Sequence, residues 1–189
     1  MQVFACVAVG ASGGIAMMKQ SWVPHAAMAA TILVGLLAGI ASATAEDVQS
    51  PSTTSFERIA ALAGKWQVRE EASLRIVFEP TAGGSVIVER WMFGERTHSI
   101  TIYHLDGERL LATHYCPQGN QPRLAATASV DGEIRFAFLD ATDLDQGESF
   151  QHDLTFKPNP DGSVSRSEIY WGPNGAGEES TLTLVPAAS

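Results

Sequence analysis

The sequence predicts an all-β fold: a closed, up-and-down antiparallel barrel of about ten strands with one short N-terminal helix. Three observations predict it. Beyond Gly64 the apolar residues recur with a period of two, as in a strand with one buried face. Turn-forming residues interrupt that stretch at intervals of about a dozen, the spacing of a sandwich or barrel. Nine such turns separate ten strands. Short loops make consecutive strands antiparallel neighbours, and a sheet that long leaves exposed edges unless it closes on itself.

The elements follow in order. Residues 1–45 contain no Asp or Glu and a single basic residue, Lys19. The uncharged run from Ala26 to Ile40 follows Lys19 and His25 and leads into Ala43-Thr44-Ala45, a small-x-small pattern suited to signal peptidase. Residues 1–45 therefore read as a signal peptide cleaved after Ala45. An uncleaved membrane anchor is the alternative; the small residues ending the run and the lack of a basic flank after it oppose that. A second apolar stretch, Val3 to Met18, precedes the basic residue, so a true start at Met17 or Met18 restores the ordinary order of a signal peptide. The mature chain is expected to be periplasmic or secreted, with no membrane attachment after cleavage.

Residues 46–55 (EDVQSPSTTS) are polar and read as a flexible linker, and the barrel occupies 56–185. Thr54 or Ser55 caps a short helix whose Phe56, Ile59, Ala60 and Leu62 fall at helical spacing until Gly64. The strand-separating turns are Glu71-Ala72, Ala82 to Gly84, Gly94-Glu95, Asp106-Gly107, Pro117 to Pro122, Asp131-Gly132, Asp143 to Gly147, Pro158 to Gly162, and Pro173 to Gly175. A barrel of more than eight strands is wider than its own side chains easily fill, so a ligand cavity is expected.

Composition sets bounds on function. With 189 residues, 45% of them hydrophobic and 17% charged, the chain is of a size and polarity for one globular domain. Its formal charge is −9, becoming −10 once Lys19 leaves with the leader. Such a domain repels phosphate backbones and anionic membranes, which argues against nucleic-acid and peripheral lipid binding. Cys6 falls in the leader and Cys116 is then alone, so no intrachain disulfide is expected and a buried, inert thiol is the simplest reading. The sequence contains no Gly-x-Ser-x-Gly elbow, Walker loop, His-Glu-x-x-His helix or paired Cys-x-x-Cys.

Hairpin arithmetic assigns faces. A two-residue Asp106-Gly107 loop sets Leu105 opposite Glu108, Tyr103 opposite Leu110, Ser99 opposite His114 and His98 opposite Tyr115. His98 and His114 then point to opposite sides of the wall and cannot share a metal. The same arithmetic at Asp131-Gly132 pairs Thr127 with Phe136, Ala125 with Phe138 and Arg123 with Asp140. Ile134, Phe136 and Phe138 take the interior, and Arg123 shares that face near a barrel end, as half of an ion pair or as an anchor for an anionic ligand group. In Phe150-Gln151-His152-Asp153-Leu154-Thr155-Phe156 strict alternation turns Phe150, His152, Leu154 and Phe156 inward together. His152 is then a hydrogen-bonded core histidine or an axial ligand to haem iron.

Trp66, Val68, Leu74, Ile76, Phe78, Leu182 and Leu184 complete the inward set, and Trp91, Tyr103 and Trp171 are aromatics suited to a cavity rim. His114 and Cys116 share a face, which admits a hydrolase or isomerase; the plainer reading has His114 hydrogen-bonded across the wall and Cys116 filling space.

Tyr103-His104-Leu105-Asp106-Gly107 through Thr113-His114-Tyr115-Cys116, followed by Gly119-Asn120-Gln121-Pro122-Arg123, resembles a group of exported bacterial proteins with calycin-like (lipocalin-like) barrels. Leu62-Ala63-Gly64-Lys65-Trp66 also resembles the Gly-x-Trp opening of the first lipocalin strand. The resemblance covers residues 56 to 184 and implies an open-ended ligand-binding barrel; it carries over no catalytic residue. A more distant similarity is to haem-binding barrels of the nitrobindin kind, whose glycine-rich, tyrosine-proline-containing opening is missing here. The expectation is an exported barrel that binds a small apolar or amphipathic molecule without chemistry of its own. Arg123, His114, Tyr103, His152 and Trp91 are the expected ligand contacts, with Asn120 acting through the loop over the mouth. No metal site or cofactor is expected except haem on His152.

Overall fold

The computed structural model describes residues 50–127 and 131–187. The leader assigned to 1–45 and the first part of the linker lie outside the described residues. Helix α1 spans Pro51–Ala60 and so takes in five residues, 51–55, that the sequence reading assigns to the linker. Its cap is Ser50 rather than Thr54 or Ser55: Ser50 is extended, and its Oγ accepts from the Thr53 amide at 3.2 Å. The Ser/Thr-rich run offers several caps. Pro51 favours the first, because its fixed φ and missing N–H suit the opening of a helix.

Eleven strands follow: β1 (Gly64–Val68), β2 (Leu74–Thr81), β3 (Val86–Phe93), β4 (Arg96–Asp106), β5 (Arg109–Tyr115), β6 (Gln121–Ala126), β7 (Ile134–Thr142), β8 (Phe150–Pro158), β9 (Val164–Gly172), β10 (Gly175–Ala176) and β11 (Ser180–Pro186). Each strand from β1 to β9 pairs antiparallel with the next. β11 pairs with both β9 and β1 and closes the ring, while β10 is a two-residue return on β9. The wall is thus a closed antiparallel barrel of ten strands with one short helix, as the turn spacing predicts, and it is compatible with a calycin-like fold.

One half of the lumen is filled by side chains. Val68, Ile76, Phe78, Ile87, Tyr103, Leu110, Leu124, Phe136, Leu154, Phe156 and Leu184 form a continuous buried cluster, in which Phe78 and Tyr103 meet Phe156 edge-on at 6.1 Å. Helix α1 packs against β4 and β5, adds Ile59 to this cluster, and is pinned by the Ser52 hydroxyl donating to the Glu108 carbonyl in the β4–β5 turn. This end is closed.

Three registers depart from the sequence arithmetic. At the β4–β5 hairpin Asp106 pairs with Arg109 and Thr101 with His114, so the turn residues are Gly107 and Glu108. Gly107 has φ 60 and takes the first turn position, where a II′ hairpin needs glycine; Asp106 closes the ladder and holds Arg109 Nη2 at 2.7 Å. The slip is two residues, so each side chain keeps its expected face.

Between β6 and β7 the slip is one residue, pairing Leu124 with Phe138 and Ala126 with Phe136. A bulge between Arg123 and Leu124 absorbs it and restores the expected Arg123–Asp140 pair. Between β8 and β9 the register shifts between Gln151 and Asp153, and this bulge changes faces. Gln151, Leu154 and Phe156 are buried in the lumen, and the alternation that turns His152 inward is broken at His152 itself.

Candidate functional site

The half of the lumen away from α1 is polar. Glu89 on β3 and Arg166 on β9 are both fully buried, with Arg166 Nε 2.8 Å from Glu89 Oε1. Arg166 Nη1 donates to Glu168 Oε2 at 2.8 Å, and Gln151 Nε2 donates to the same oxygen at 2.8 Å. Trp91 Nε1 donates to Glu89 Oε1 at 2.7 Å, and the Tyr103 hydroxyl donates to Glu89 Oε2. The guanidinium also lies over the Trp91 ring at 4.7 Å from its centroid. Burial works against the Arg166 cation, but the two adjacent carboxylates outweigh it and raise its pKa. Burial, reinforced by Glu89, raises the pKa of Tyr103.

His114 stands beside this network on β5. Its Nδ1 lies 2.9 Å from Thr101 Oγ1, directly across the ladder, and its Nε2 lies 3.4 Å from the Tyr170 hydroxyl. Burial, with the Arg166 charge second, lowers the His114 pKa to about 4, so the imidazole is neutral near pH 7. Burial and the Glu168 carboxylate raise the pKa of the Tyr170 hydroxyl.

Above the network a pocket of about 370 Å³ opens to solvent. Trp91, Tyr170, Cys116 and Pro117 supply its apolar wall; Ser99, His114 and Glu168 supply polar groups; Gln118 and His98 stand at the rim. His98 reaches this mouth because a register shift between Trp91 and Met92 makes it the extra residue of β4, so it lines the same pocket as His114 instead of standing on the opposite side. It is exposed and meets Phe93 edge-on at 5.7 Å.

The structure brings three of the expected contact residues to this end of the lumen: Trp91 and His114 line the pocket, and Tyr103 lies beneath it as a donor to Glu89. Asn120 is fully buried but outside the pocket, where its Nδ2 donates to the Ser149 carbonyl and to Glu148 Oε2, each at 3.1 Å. It ties the β5–β6 loop to the β7–β8 loop at the mouth. Arg123 is not on the interior face; it is exposed between buried Pro122 and Leu124, with its Nε 2.6 Å from Asp140 Oδ1. A one-residue register slip reverses a face, which is why the paired residue came out right and its side wrong.

His152 is likewise not on the lumen wall. Tyr170 reaches inward to His114, so the next residue, Trp171, faces out, and it is 39% exposed. His152 stacks on Trp171 at 4.4 Å and on Phe138 at 5.5 Å, and its Nδ1 lies 2.8 Å from Asp153 Oδ2. The bulge takes it out of the lumen.

Arg166, Glu168 and Gln151 belong to this buried network, and the sequence reading does not single them out. Glu89 carried a signal, since it alternates with Ile87 and Trp91 on one face of β3. No group of three or more metal-ligating side chains clusters among the described residues. Neither nitrogen of His114 is directed to Cys116, whose Sγ instead lies 3.5 Å from Gln118 Nε2.

Two further depressions have a different character. One of about 500 Å³ crosses β7 to β9 and is lined by Arg135, Asp153, Thr155, Lys157, Ser165, Ser167 and Glu179 among others, most of them on the outer face. Another, of about 300 Å³, lies between the end of α1 and Ile134, Phe156 and Val164 at the closed end. The chain matches no protein-family model and no curated protein.

Proposed function

We propose that this protein is an exported barrel that binds a small apolar or amphipathic molecule at the open end of its lumen, and that it belongs with the calycin-like ligand-binding barrels. The pocket over the buried network carries this reading: an aromatic and apolar wall with a few convergent polar groups, in a barrel whose other half holds a buried apolar cluster. Trp91 and Tyr170 supply contact area, while Ser99, His114 and Glu168 orient the bound molecule. The acidic leader-free chain and the apolar run before Ala45 support a periplasmic or secreted location.

The alternatives have less behind them. A haem held in the lumen would need His152, whose ring is stacked between Phe138 and Trp171 and whose Nδ1 lies 2.8 Å from Asp153 Oδ2. A thiol-based hydrolase needs a base for Cys116, and the imidazole on its own strand, His114, is committed to Thr101 and Tyr170.

Native mass spectrometry of the protein expressed with its own leader tests the reading. A retained small molecule, lost in Trp91→Ala, is the expected result. A bare mass together with no binding of any apolar or amphipathic probe would remove it.

A further inference from the structure

The lumen network has an unbalanced charge. Arg166 faces two carboxylates, Glu89 and Glu168, so the buried cluster has a formal charge of −1. The imbalance is local to Glu168. Glu89 accepts from Trp91 and Tyr103 and is paired with Arg166, and it does not line the pocket. On Glu168, by contrast, the contacts from Arg166 and Gln151 both fall on Oε2. Oε1 has no protein donor among the described residues, and Glu168 is part of the pocket lining with its side chain 13% exposed.

No Lys or Arg lines this pocket, and its one internal imidazole is neutral near pH 7. An anionic head group would therefore meet the free oxygen of a carboxylate and no Lys or Arg on the pocket lining. Arg166 does not supply one: it is fully buried behind the pocket, between the Trp91 and Phe156 rings. A cationic head group would meet Glu168 Oε1, the Tyr170 hydroxyl as an acceptor, and aromatic faces that favour cations. The Arg166 guanidinium over Trp91 is an internal instance of the last contact.

We infer that the pocket selects amphiphilic amines, with the ammonium group on Glu168 Oε1 and the apolar tail along Trp91, Tyr170 and Pro117. This rests on the binding reading given above and names the ligand class.

Three probes of six carbons each separate the two: n-hexylammonium, n-hexanol and hexanoate, followed by calorimetry and by the tryptophan indole resonances. Hexylammonium is expected to bind about tenfold tighter than hexanol, and hexanoate to bind weakest. Glu168→Gln should bring hexylammonium and hexanol to within about threefold of each other. Because Glu168 supports Arg166, a second variant at the exposed rim, His98→Lys, guards against misfolding; it should weaken hexylammonium severalfold relative to hexanol. Equal binding of the three probes, or a preference for hexanoate, would overturn the amine assignment and leave the binding barrel standing. An unchanged amine preference in both variants would also overturn it. No binding of any probe would remove the binding barrel itself.

Discussion

Arg166 is fully buried in the lumen, held between two carboxylates and against the Trp91 ring. Replacing it with alanine strands Glu89, which is fully buried, and the expected loss is about 3–5 kcal/mol in urea unfolding. Replacing Glu89, Arg166 and Glu168 together by Leu, Met and Leu should recover most of that loss, because desolvation consumes much of what a buried ion network contributes. A single-site loss below about 1 kcal/mol would mean that the network is hydrated. His114 gives a second residue-level prediction, of known sign. Its folded pKa, about 4, lies below the ordinary 6.5, so the unfolded chain takes up the proton first. The stability His114 contributes is complete above pH 6.5 and is lost as pH falls towards 4, by about 3 kcal/mol. His114→Gln should flatten that limb of the stability profile; superimposable wild-type and variant slopes would refute the assignment.

At the scale of elements, the bulge in β8 decides which aromatic groups are available inside. It sets His152 between Trp171 and Phe138 at the edge where β7 and β8 part, with Trp171 39% exposed. A double-mutant cycle with His152→Ala and Trp171→Ala should give a coupling of about 0.5–1.5 kcal/mol, and zero coupling would mean that the rings only lie near each other. The same strand marks the boundary of what the sequence discloses. Alternation and glycine-containing turns make the ten strands legible, as well as the inward set from Ile76 and Phe78 to Phe136 and Leu184. Face assignment survives the two-residue slip at Gly107, because a slip of two preserves parity. It fails at His98, Arg123 and His152, where a single extra residue or a one-residue slip intervenes and no local signal announces it. The β9 segment Val164-Ser165-Arg166-Ser167-Glu168 hides its buried charges differently: polar residues occupy both faces, so period two has nothing to contrast. Trp91 and His114 remain legible because apolar neighbours on their own strands fix their side.

For the whole molecule, closure is uneven around the ring. β2 and β3 pair from Leu74–Phe93 to Thr81–Val86, whereas β7 and β8 pair only from Ile134–Phe156 to Ala137–Asp153. Beyond Ala137 the two strands follow their other neighbours, β6 and β9, and the rings of Phe138, Phe150 and His152 lie in contact along the seam. Asn120 and Gln118 hold the mouth end of that seam through Ser149, which links its opening to the pocket side of the barrel. Where two neighbouring strands part, as β7 and β8 do beyond Ala137, the wall lacks a cross-strand partner on that side and opens at lower cost. Native-state hydrogen exchange should therefore find the amides facing the seam, in Phe138–Thr142 and Phe150–His152, exchanging faster by an order of magnitude or more than those joining β3 to β4. Asn120→Ala should widen that difference without speeding exchange in β3 and β4. Uniform protection around the ring would place the weak point elsewhere and make the barrel a single rigid shell.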